Sequence, residues 1–188
     1  HTRNRMHPVF LRDTLDNMYW ISNVKPEILP EVILSVSEIL NYFLFECDEE
    51  KVPLRKEEQA IRLFMGFQTM VYKGKSEYDL HIHGDIENFS IAPYILFPLV
   101  RAVYLFNSDP EENPGKIYVL INIINDELIF SASQKINESI IPTSYSYEWN
   151  DEINLSRNRL ELMYSWRYKL DVRETERKLM INLSLQLN

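Results

Sequence analysis

The chain has 188 residues, 45 % hydrophobic and 26 % charged, enough to bury one core or a small domain with an appendage. Its formal net charge of −8 leaves no basic stripe for nucleic acid: only Lys51, Arg55 and Lys56 cluster, diluted by Glu57 and Glu58 into a solvated helix start. Only four glycines occur, against roughly thirteen at average usage, and none follows Gly115, which excludes a glycine-rich nucleotide loop in the C-terminal third.

Residues 8–22 are predicted to form a helix, with Pro8 in its first turn and Phe10, Leu11, Thr14, Leu15, Met18 and Ile21 at helical spacing. A break at Ser22 to Pro26 precedes a second helix over 31–46, whose apolar face is Val32, Val36, Ile39, Leu40, Phe43 and Leu44. Two amphipathic helices with a short connection imply a hairpin that buries little alone and needs a partner, either the rest of the chain or a second copy. The polar stretch Asp48 to Lys51, ended by Val52-Pro53, marks a domain boundary, giving residues 1–50 and 51–188. A third helix is expected over 54–72 and a strand over 78–83. A largely buried helix follows over 93–107. Two β-rich runs, 116–124 and 127–133, are joined by Asn125-Asp126 as a tight hairpin. A loop over 136–151, a helix over 153–166 and strands over 168–172 and 179–187 complete the chain. This order fits an α+β fold, one mostly antiparallel sheet with its helices on one face.

Cys47 is the only cysteine, so no intrachain disulfide can form. No run of about 18 apolar residues stands out, and no membrane span is expected. Because the sequence begins at His1 rather than Met, it is read as a fragment: the cytoplasmic region of a protein whose membrane anchor would lie upstream.

Several stretches carry a family resemblance together. His7-Pro8-Val9-Phe10-Leu11-Arg12-Asp13-Thr14-Leu15 is similar to Asn-Pro-His-Phe-Leu-x-Asn-x-Leu. Ile39-Leu40-Asn41-Tyr42, Val52-Pro53-Leu54-Arg55-Lys56-Glu57 and Arg159-Leu160-Glu161-Leu162-Met163-Tyr164 follow in matching order. Together they resemble the two-component sensor histidine kinases of the LytS/YesM type, which often partner LytTR-class response regulators. The resemblance spans nearly the whole chain. It implies a dimerisation hairpin followed by a histidine-kinase ATPase-like α/β sandwich, and a homodimer formed through residues 8–46.

The same resemblance exposes what is missing for kinase chemistry. The family's phosphoacceptor imidazole corresponds to Val9, which has no nucleophile. His7 lies two residues away, about 200° around a helix, and reads as an exposed histidine near a helix start rather than a shifted acceptor. The family's Glu-Asn metal clamp follows Leu-x-Pro-Leu-Val. Here Leu96-Phe97-Pro98-Leu99-Val100 is kept and the pair is Arg101-Ala102. Alanine cannot ligate Mg²⁺, and arginine stays protonated. The adenine-recognising carboxylate or amide corresponds to Gln134, with no glycine after it. The family's Gly-x-Gly-Leu corresponds to Glu152-Ile153-Asn154-Leu155, so Glu152 and Asn154 replace both glycines and crowd the backbone that would cradle phosphate.

Other candidates are weaker. His81 and His83, with Asp79 and Asp85 nearby, could begin a zinc site but lack a second ligand pair, and a solvent-facing strand is the simpler reading. Cys47 reads as a structural thiol. Tyr145, Ser146, Tyr147, Glu148 and Trp149, with Leu105 and Phe106, read as side chains filling an emptied nucleotide cleft. The expected function is therefore a pseudokinase of two-component signalling that binds no cofactor or metal. It would act by dimerising and by contacting a response regulator or an active kinase. The alternatives are a divergent kinase using ATP, magnesium and His7, and an interaction module for a non-nucleotide ligand.

Overall fold

The structure is a computed structural model that describes residues 8–71, 77–106, 115–135 and 148–187. Helix α1 (Pro8–Val24) and helix α2 (Leu29–Asn41) form the hairpin. A 3-10 turn at Pro26–Ile28 leads into α2, and a π-helical turn at Tyr42–Glu46 ends it. In that wide turn the Cys47 N–H reaches the Tyr42 carbonyl at 3.2 Å, so Tyr42, Phe43 and Cys47 all face inward while Leu44 and Phe45 face out. Within the continuous run Pro26–Glu46 of 21 residues, an 18-residue stretch has a mean hydropathy of 1.5, enough by length and composition alone to cross a membrane. The expectation that no such segment exists is thereby corrected. The 3-10 turn extends it N-terminal of the expected 31–46, and the π turn lies within that range; neither is visible to a 3.6-residue period.

The hairpin does not stand apart. Val32 and Val36 pack with Ile21 of α1 and with Phe67 and Val71 of α3 (Leu54–Val71) in a small core of their own. Phe10, Ile39, Tyr42, Phe43 and Cys47 enter the main core. Phe10 meets Phe43 edge-on at 5.4 Å and Phe97 at 5.9 Å. The lone thiol is buried, as expected, and burial pushes its pKa well up. The opposite side of the hairpin leaves Leu15, Tyr19, Ile33, Leu34, Leu44 and Phe45 exposed.

A five-stranded sheet follows: β2 (Glu77–His83), β4 (Lys116–Ile124), β5 (Glu127–Lys135), β6 (Tyr168–Thr175) and β7 (Lys178–Gln186), in the order β2-β4-β5-β7-β6. β2 runs parallel to β4 and every other pair is antiparallel. Strict alternation sets the faces. Ile117, Val119 and Ile121 of β4, Leu128, Phe130 and Ala132 of β5, and Leu179, Ile181, Leu183 and Leu185 of β7 point inward and are buried. α4 (Leu96–Phe106) and α5 (Glu148–Tyr164) join them in the main core. The outer face carries His81 and His83, exposed on β2 as expected. A two-residue ladder, β1 (Val52–Pro53) with β3 (Ser90–Ile91), went unpredicted because two residues show no period.

The β4–β5 hairpin closes as expected at Asn125-Asp126, with φ of 50° and 63°. Two left-handed residues make this a twisted turn matched to the sheet. Asn125→Ala is expected to lower stability by about 1 kcal/mol and Asn125→Gly to leave it nearly unchanged, as read by urea unfolding.

Candidate functional site

α4 carries Arg101 and Ala102, the pair that the sequence resemblance sets at a metal-clamp position, and one buried carboxylate fixes its start. Glu57 of α3 accepts hydrogen bonds from the backbone N–H groups of Tyr94, Leu96 (2.7 Å) and Phe97 (3.1 Å) and from the Tyr42 hydroxyl. A carboxylate at a helix N-terminus satisfies orphan donors and opposes the positive end of the helix dipole. Burial pushes the Glu57 pKa up, and the four donors oppose that shift. The chain reaches α4 through a tight turn in which Tyr94 has φ 64°. A buried tyrosine holds that left-handed conformation only because its surroundings fix it. The Tyr94 ring packs on Phe43 at 5.3 Å, Ser156 donates to the Ile95 carbonyl at 2.7 Å, and the Tyr164 hydroxyl accepts from the Ala92 N–H at 2.8 Å. The expected helix from residue 93 therefore begins at Leu96 instead.

One turn on, Arg101 is 3 % exposed, and its guanidinium pairs with the Glu152 carboxylate of α5, itself 1 % exposed. A second Arg101 nitrogen lies 3.5 Å from Asp13 of α1, and the guanidinium stacks 5.4 Å above the Phe10 ring. Arg101 thus ties α4 to α5 and to the first helix. Ala102 is fully buried in the main core. Further along, Phe106 is buried edge-on against Trp149, with ring centroids 6.2 Å apart. Trp149 belongs to α5, which begins at Glu148 rather than at 153.

The remaining expected positions are dispersed. Asn154 is exposed and accepts a hydrogen bond from Arg157 at 2.8 Å. Gln134 lies buried on β5, and its carbonyl oxygen has no hydrogen-bond partner among the described residues. Gly115 is buried against it, where a Cβ would come within 2.5 Å of the Gln134 amide nitrogen. Val9 lies in α1. The Val9 side chain, His7, Tyr145, Ser146, Tyr147 and the expected loop over 136–147 lie outside the described residues. Among those described, no group of three or more His, Cys, Asp and Glu residues could hold a metal.

The residues present do not fit a nucleotide–metal clamp. At the clamp positions stand a cation already paired with a carboxylate and a buried methyl group. Sequence reasoning flagged Arg101 and Glu152 separately and missed their pairing, as well as Asp13, Phe10 and Glu57. For Glu57 a signal existed: it occupies the apolar stripe Leu54, Glu57, Ile61, Phe64 of α3, where a carboxylate must find buried donors.

A histidine kinase family model matches residues 1–76. No curated protein matches the chain. Among solved structures, the nucleotide-free catalytic domain of the histidine kinase ThkA aligns with a TM-score of 0.50 at 12 % identity, over 73 % of this chain and 96 % of that one. The histidine kinase AdeS of Acinetobacter baumannii aligns with a TM-score of 0.47 at 8 % identity, over 98 % of this chain and 87 % of that one. The histidine kinase domain of the blue-light activated kinase of Erythrobacter litoralis EL346 aligns with a TM-score of 0.46 at 12 % identity, over 94 % of each chain. At such identities the ThkA likeness is one of fold: helices followed by an α/β sandwich of the histidine-kinase ATPase type.

Proposed function

We propose that this chain is a degenerate relative of the two-component sensor histidine kinases, of the LytS/YesM type. It keeps the hairpin (1–50) and the ATPase-like unit (51–188) and transfers no phosphate. The observation that carries the reading is the buried Arg101–Glu152 pair. By the sequence resemblance, Arg101 stands at a metal-clamp position and Glu152 at a glycine of the phosphate-binding turn. A fixed cation and a fixed anion of the protein therefore replace the polar groups that would meet metal and phosphate, and they neutralise each other. Admitting a nucleotide would require opening this pair and stranding a buried charge, at about 3–5 kcal/mol. That corresponds to a loss of about two orders of magnitude or more in affinity.

Such a protein works by binding. It dimerises through residues 8–46, whose outward apolar residues await a partner, and contacts a response regulator or an active kinase on the cytoplasmic side of a membrane-anchored assembly. No bound cofactor or metal is needed. Incubation with radiolabelled ATP and magnesium tests the reading. No label on the protein is expected. Label that His7→Ala abolishes would establish a divergent kinase instead. Thermal stabilisation by a metabolite other than a nucleotide would favour an interaction module with its own ligand.

A further inference from the structure

We propose that two copies of this chain join through the free edge of β2, antiparallel about a two-fold axis at Leu80, so that their sheets become one. This contact is separate from the hairpin and does not depend on it.

β2 ends the sheet, and β4 is its only strand neighbour among the described residues. An edge of seven residues presents backbone N–H and C=O groups that a further strand can pair. Its inward residues are incompletely covered too. Tyr78, Leu80 and Ile82 are half-buried, whereas their register partners on β4, Ile117, Val119 and Ile121, are buried. A cleft of about 660 Å³ opens between this edge and α3, lined by Met65, Gly66 and Thr69 of the helix and by Tyr78 and Leu80 of the strand. Gly66 lies inside α3, where glycine weakens a helix, and a Cβ there would meet nothing within 4 Å. Packing within the chain therefore does not call for glycine at 66, while the missing side chain keeps the cleft open to an added strand.

The strand's own sequence identifies the occupant. Glu77-Tyr78-Asp79-Leu80-His81-Ile82-His83 alternates ionisable residues outward with Tyr78, Leu80 and Ile82 packed toward the core. Laid antiparallel on a second copy and centred on Leu80, it sets Glu77 opposite His83, Asp79 opposite His81, Tyr78 opposite Ile82 and Leu80 opposite Leu80. Every outward pair then joins a carboxylate to an imidazole, and every inward pair joins hydrophobic side chains. Sliding the register by two residues sets Asp79 against Asp79 or His81 against His81. Sliding it by one turns inward residues outward. Charges on an edge ordinarily keep like edges apart, but reversal makes these complementary. The same patch serves both copies, so the contact closes on itself.

The outward groups are already placed for it. The His81 and His83 rings lie parallel within 8°, with centroids 6.4 Å apart. Asp79 lies 3.7 Å from His81 and 3.0 Å from Lys116 of β4, which Glu77 also faces. The β4 residues beside the two histidines, Leu120 and Asn122, carry no charge. Asp85, past the strand end, accepts from the N–H groups of Glu87 and Asn88. A second copy brings one further carboxylate to each imidazole. Association therefore strengthens as histidine gains its proton between about pH 8 and pH 6.

Sedimentation velocity on the full chain at both pH values tests this with two strand variants. The acidic variant is His81→Glu with His83→Glu, and the basic variant is Glu77→Lys with Asp79→Lys. All four side chains point outward, so circular dichroism melting of both variants should stay cooperative. The parent is expected to associate, more tightly at pH 6. Each variant alone weakens that step by about 30-fold or more, because four attractive pairs are lost. An equimolar mixture of the two regains it, since each acidic strand then faces a basic one. Where hairpins pair as well, the edge step is the one from dimer to larger species. A step that the variants keep, or that their mixture fails to restore, would overturn the proposal. So would a parent that shows no such step at ~1 mM. A hairpin dimer that persists in every sample leaves the reading of residues 8–46 standing in either case.

Discussion

Glu57→Ala is expected to lower the unfolding free energy by about 4 kcal/mol or more. The carboxylate serves the N–H groups of Tyr94, Leu96 and Phe97 and the Tyr42 hydroxyl in a fully buried site. Removing it strands several donors where water cannot replace the acceptor, at about 1–3 kcal/mol each before relaxation. Against a typical domain stability of about 5–15 kcal/mol, much of the protein would unfold at moderate urea. Glu57→Gln keeps one acceptor but turns amide hydrogens toward the same N–H groups, so a loss of about 2–3 kcal/mol is expected. The adjacent Glu58 is the control. It is buried too, but its partner Arg62 has a side chain 61 % exposed that water can solvate once the carboxylate is gone, and Glu58→Ala should cost about 1–2 kcal/mol. Equal losses at 57 and 58 would mean that Glu57 does not anchor α4.

The second large effect concerns Arg101 and Glu152. Arg101→Met leaves the Glu152 carboxylate buried without its guanidinium, and removes the links to Asp13 and to the Phe10 ring. A loss of about 3–5 kcal/mol is expected, because breaking one side of a buried pair costs more than the pair contributes. The double variant Arg101→Met with Glu152→Met should recover most of that stability, since a well-packed apolar pair avoids desolvating two charges. Urea unfolding of the two single variants and the double variant gives the coupling directly. Additive losses would show that the two side chains act independently. The first helix should respond as well: Arg101→Met is expected to speed amide exchange around Phe10 to Thr14, because Arg101 bridges α1 to α4.

Much of the fold was legible where one periodicity governed. The β-rich runs 116–124 and 127–133 and the strand over 179–187 were recognised as strands, and Asn125-Asp126 announced its turn. The Leu54–Val71 helix followed from its apolar stripe. What escaped was set by tertiary contact. Nothing local puts Tyr94 in a left-handed conformation; Glu57, 37 residues earlier, and Tyr42 hold it there. The π turn at Tyr42–Glu46 arises where Tyr42, Phe43 and Cys47 must all face inward. At the site, Arg101 and Glu152 each broke a pattern, but their meeting across 51 residues is a property of the folded chain.

The most direct measurement is a calorimetric titration of the protein with a non-hydrolysable ATP analogue and magnesium. A clamp region closed by Arg101 and Glu152 predicts no saturable heat, and no rise in melting temperature at ~1 mM analogue, where even weak binding to the native state would register. A one-to-one isotherm accompanied by thermal stabilisation would contradict it.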